Sequence, residues 1–133
     1  MQADISGSGI VDAAIFRSQN DYGELVQLNF RQRVERDTTC TDINVAHLVP
    51  PPWRVAEFFV GDLGGMESKR YTTISCTNSG IDTRSLHNFD QSSSWTGNIL
   101  VVGHTIGHIG ELTNVGEAEL DGLIAALSAV RGR

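Results

Sequence analysis

The apolar period of this chain changes once, near residue 115. Leu120, Leu123, Ile124, Leu127 and Val130 recur at steps of three and four, which marks one face of a helix. Asn114 followed three residues later by Glu117 has the spacing of a capping box. Glu117, Glu119 and Asp121 at the start, with Arg131 and Arg133 at the end, suit the helix dipole. These features predict one amphipathic helix over about 115–131, and fourteen glycines leave less room for others. The expected class is α+β: an antiparallel β-sheet meander, opened by an N-terminal hairpin and closed by a helix that packs on the sheet.

The strands follow from turn chemistry. Residues Gly9–Phe16 and Glu24–Val34 flank Gln19-Asn20-Asp21-Tyr22-Gly23, which predicts a first hairpin over about 9–34. Pro50-Pro51-Pro52 can neither join a sheet ladder nor continue a helix, so residues 35–52 read as a connector. Trp53–Val60 and Lys69–Thr77 then form a second hairpin around GDLGGMES. Residues 78–94 are polar and predict a long exposed loop. The unbroken run Ile99–Val102 predicts a strand buried on both faces, within a central sheet over about 53–109. With 133 residues, the expectation is a single domain over 1–133.

Composition narrows the function. A net charge of −6 argues against coating nucleic acid through bulk positive charge. One lysine, Lys69, stands beside nine arginines, a choice that favours bidentate contacts to carboxylate or phosphate. No apolar run approaches the roughly 20 residues needed to cross a bilayer, and no basic start leads into an apolar stretch, so a soluble chain with no membrane partner is expected. Cys40 and Cys76 lie in no metal-ligand spacing; they are either free thiols or one bridge.

The motif closest to chemistry is His104-Thr105-Ile106-Gly107-His108. On a helix, histidines four apart can share a zinc ion, as in metalloproteases, but Thr105 stands where those enzymes carry their glutamate. On a strand, the same histidines lie roughly 13 Å apart along the chain, too far for one ion. No nucleophile elbow or phosphate-binding loop is present, so neither a catalytic residue nor a cofactor is expected.

The segment WRVAEFFVGDLGGMESKRYTTISCT, then Trp95 leading SSSWTGNILVVGHTI, then NVGEAELDGLIAALSAV, resembles the coat (capsid) proteins of small single-stranded RNA bacteriophages, the leviviruses. The likeness spans about residues 53–131, with a basic residue followed by Tyr and Thr opening the second arm of the central hairpin. It departs from the family in its acidic charge and in ending soon after one helix. The resemblance implies a homodimer that assembles into an icosahedral, virus-like shell around single-stranded RNA, located in the virion and, during assembly, in the host cytoplasm. It implies that Leu120, Leu123, Ile124, Leu127 and Val130 pack on the sheet of a dimer partner, and that residues 78–94 form contacts between subunits. It further implies an RNA-binding sheet face carrying Arg54, Lys69, Arg70, Thr72, Asn98 and His104. Two other classes remain open on the residues alone: a small metal-dependent hydrolase using His104 and His108, and a non-enzymatic ligand-binding β module.

Overall fold

The computed structural model describes residues 5–60, 69–78, 80–92, 94–104 and 112–130. Seven strands form one curled antiparallel sheet: β1 (Ile5–Phe16), β2 (Glu24–Glu35), β3 (Thr38–Ile43), β4 (Trp53–Val60), β5 (Lys69–Cys76), β6 (Ile99–His104) and β7 (Leu112–Thr113). The spatial order is β3-β2-β1-β6-β5-β4, with β7 added to β6. Two three-stranded meanders are therefore joined where β1 pairs with β6, at Ala14–Phe16 against Ile99–Val101. The first hairpin is continuous with the central sheet. Beyond that short ladder β1 and β6 diverge and residues 112–115 fill the gap: β7 pairs with Gly103 and His104, and the Val115 amide donates to the Asp12 carbonyl at 2.9 Å.

Alternation along β6 explains how one sheet serves two cores. Ile99 and Val101 face the helical layer with Ala14, Phe16, Phe58 and Tyr71, while Leu100 and Val102 face the other side with Val11, Ala13, Ile15 and Leu28. All four of these β6 residues are buried, as the apolar run predicted.

The C-terminal helix is present, in a shorter form. A 3-10 turn at Glu117–Glu119 leads into α2 (Leu120–Val130), and α1 (Arg84–Phe89) packs against it. Asn114 is not its cap; its Oδ1 accepts from the Asp12 amide at 2.9 Å and ties the helix approach to β1. Glu119 does the capping instead, its Oε2 accepting from the Gly116 amide at 2.6 Å. Arg131 and Arg133 lie outside the described residues. Leu123 and Leu127 are buried against the chain's own Phe16, Phe58, Tyr71 and Leu86, with Leu120 and Ile124 half-buried beside them. Burying such a leucine is worth about 1.5–3 kcal/mol. Leu120 to Leu127 of the expected stripe thus pack on the chain's own sheet, and the side chain of Val130 lies outside what is described.

Two segments differ from expectation. Within the supposed connector, β3 pairs with β2 across a two-residue turn, Arg36-Asp37, in which both residues have positive φ (51° and 66°). That is the backbone a tight hairpin needs, supplied without glycine or asparagine. Residues 45–49 then fold into a turn that buries Val45 and Val49 over the second core. The supposed exposed loop contains α1, with Leu86 and Thr83 fully buried; the Thr83 hydroxyl donates to the Gly97 carbonyl at 2.6 Å, and the Gly97 amide to Ile81 at 2.7 Å. An inward leucine and a closed hydrogen-bonded base make this segment part of the helical layer.

Candidate nucleic-acid interface

Each flank of the sheet has a covered face and a face with open ground. Over β1, β2 and β6 the face opposite the helices is plugged by Val45, Leu48 and Val49. Over the first half of β4 the same face is open among the described residues: Trp53, Val55 and Glu57 are exposed there, Val55 to 62%. Strand register decides which side chains share this ground, since directly opposed residues point the same way. Trp53 pairs with Cys76, Val55 with Ile74, Glu57 with Thr72, and Arg70 with His104.

Three of the expected RNA-binding residues are brought together. Arg70 and His104 are direct cross-strand partners, and the Thr72 hydroxyl lies 2.7 Å from Nε2 of His104. All three are half-buried, which limits their rotamers. Nε of Arg70 is buried without a hydrogen-bond partner among the described residues. A guanidinium, an imidazole and a hydroxyl on a pleated surface can donate to phosphate oxygens and to base edges.

The other three are not part of this group. Arg54 opposes Ser75, one residue out of phase with Val55, so it projects to the helical side of the sheet. Lys69 is placed by its backbone opposite Val60. Asn98 has the right parity but is already engaged, its Oδ1 accepting from the Ser18 amide at 2.9 Å and its Nδ2 donating to the Leu48 carbonyl at 3.0 Å. It fastens the first hairpin turn and the 45–49 plug to β6, which is a structural task. His108 lies outside the described residues, as does the rest of 105–111. Among the described residues, no group of three or more His, Cys, Asp or Glu is placed to hold a metal ion, and no helix is long and apolar enough to cross a membrane. Cys76 is a free thiol, and Cys40 pairs through its backbone with Arg33, in β2.

Two features escape a linear reading. Trp53 is 46% exposed on the open face while its indole N–H donates to the Val49 carbonyl at 2.7 Å, so a flat aromatic surface is held in one orientation. Its register partner lies six residues from Arg70, roughly 20 Å along the strand. The signal was an aromatic directly after the proline run. The second feature is an open polar cleft between the first hairpin turn and α1, where Arg84 lies 3.7 Å from Asp21 and His87 lies 3.8 Å from Asp82. The Arg84 and Asp21 charges, both exposed, already balance each other, and such a pair contributes little.

Tyr71, on the opposite face, is buried. Desolvation by burial holds its hydroxyl well above the usual tyrosine range, and its hydrogen bond to Glu119 and the charge of that carboxylate push the same way.

Comparison with protein-family models, with curated proteins and with solved structures returned no match.

Proposed function

We propose that this chain is a structural coat protein that self-associates and assembles around single-stranded RNA, acting through its surfaces rather than through catalysis. The observation that carries this reading is the division of labour across the sheet. Helices occupy one face, and on the other the strands β4–β6 present Arg70, Thr72 and His104 side by side next to open ground. A layer of this kind can turn its helical side outward and its polar strands toward a nucleic acid. Glu57, opposite Thr72 on the same face, keeps the patch from being strongly basic, so binding would rest on hydrogen bonds, a few phosphate contacts and stacking. That agrees with a net charge of −6. The resemblance to levivirus coat proteins over residues 53–131 points to the same role, in virions and in the host cytoplasm during assembly.

The test is to express the full chain in bacteria and purify it without nuclease treatment. Elution as large particles, with nuclease-protected RNA and shells visible by negative-stain microscopy, is the expected result. A nucleic-acid-free monomer at low salt would overturn the reading.

A further inference from the structure

The sheet has two edges, and they differ. β3 is short and its sequence, TTCTDI, is mostly polar. β4 is eight residues long, pairs with β5 in unbroken register, and has no strand on its other side among the described residues. Its first five residues, Trp53 to Glu57, are all exposed, and they include Trp53 and Val55. Monomeric proteins blunt such edges with lysine, proline, bulges or a covering segment. Here the prolines precede the strand, no bulge interrupts it, and the exposed run carries one charge of each sign, Arg54 and Glu57, which repel a second copy only in registers that oppose like with like.

We infer that the β4 edge is a homodimer contact, in which β4 of one chain pairs antiparallel with β4 of a second copy about a two-fold axis at Val55. The unmet backbone groups of an edge strand specify another extended strand as the occupant. The residues on it then select both the copy and the register. In a two-fold antiparallel pair whose axis is normal to the sheet, opposed residues must share a face, so the axis passes through a residue. Centring on Trp53 sets Arg54 against Pro52, which has no amide hydrogen. Centring on Arg54 or on Glu57 opposes like charges. Centring on Val55 sets Val55 against itself, Arg54 against Ala56 and Trp53 against Glu57, with no like-charge pair and the whole exposed run overlapped. Centring on Ala56 avoids the clash as well, but it places Val55 against Glu57 and loses the apolar pair.

Such a dimer would extend the sheet through the two-fold and set two open faces side by side. The inference rests on the self-assembling part of the proposed function and names its surface. Five strand residues per chain bury less than the roughly 800 Å² per partner of a standard interface, so the isolated pair is expected to dissociate in the micromolar range.

The deciding experiment uses the full chain and sedimentation velocity, with circular dichroism as the check on folding. Val55→Lys and Val55→Glu each place like charges across the axis and should weaken self-association at least about tenfold, while leaving the spectrum unchanged because Val55 is exposed. Mixed in equal amounts, the two variants should associate again, since Lys then meets Glu at a self-opposed position. Failure of the mixture to recover association beyond either variant alone would overturn the Val55 axis. If wild type assembles and both variants assemble equally well, the β4 contact is wrong and the coat reading survives. Dimers that form through β4 but never package RNA would leave this inference standing and remove the coat reading. A wild-type monomer at roughly 100 µM would remove both.

Discussion

The Tyr71 hydroxyl donates to Oε1 of Glu119, and the other oxygen of the same carboxylate accepts the Gly116 amide at 2.6 Å. One side chain thus closes the start of the helical segment and fastens it to β5. Tyr71→Phe keeps the stacking on Phe58, whose ring centroid is 5.3 Å away, and removes only this tie. The expected cost is about 1–2 kcal/mol in a denaturant titration, because a partly buried carboxylate oxygen loses its donor. Glu119→Ala should cost more, since the helix start is released as well.

The same pair gives a pH dependence with a definite sign. The Tyr71 hydroxyl is held above its unfolded value by burial first and by Glu119 second. Its contribution is therefore complete below the ordinary tyrosine value of about 10, and it declines as pH rises from there through the folded value, because the unfolded chain ionises first. Melting curves should show the gap between wild type and Tyr71→Phe narrowing above about pH 10. A gap that stays constant to the most alkaline point measured would show that Tyr71 is not linked to folding in this way.

Asn98 separates a structural role from a binding one. Both ends of its amide are taken by backbone groups of segments distant in sequence, Ser18 and Leu48. Asn98→Ala should cost about 2 kcal/mol, two net hydrogen bonds, and leave the RNA bound per folded chain unchanged. Loss of RNA without loss of stability would return this residue to the interface.

What the sequence reveals and what it hides follow physical lines. The run Ile99–Val102 and the stripe from Leu120 to Leu127 are legible because burial on both faces, or on one helical face, leaves its period in the chain. β3 is hidden because its turn is Arg36-Asp37, not Asn-Gly, and its residues are mostly polar, with Ile43 packing on the second core. α1 is hidden because six residues with one inward leucine carry no measurable period. The candidate patch is half legible. Residue types were available, but which of them share a face depends on hairpin register, and a slip of one residue exchanges the faces. Arg54 and Arg70 fall on opposite sides for that reason.

The Arg36-Asp37 turn is also a place to gain stability. Both residues occupy the left-handed region, where most side chains crowd the backbone. Replacing them with Asn-Gly should raise stability by about 1 kcal/mol, read as a higher denaturant midpoint at constant slope. At Gly23 the reverse holds. A Cβ there would stand 2.5 Å from Cε1 of the buried Phe16, so Gly23→Ala should cost about 1–3 kcal/mol.

The face assignment yields the sharpest test of the RNA reading, because it separates two arginines that composition treats alike. Arg70 lies on the face opposite the helices beside His104, whereas Arg54 projects to the helical side. If Arg70 meets a phosphate, Arg70→Ala should weaken binding of a short single-stranded RNA and reduce the magnitude of its logarithmic salt slope by about 0.7. Thr72→Val should weaken binding with no change in slope, because it removes a neutral group 2.7 Å from the His104 ring and no charge. Arg54→Ala should change neither. Equal losses for the two arginine variants would mean that RNA is attracted by overall charge, and the patch on β5 and β6 would then have no special part in binding.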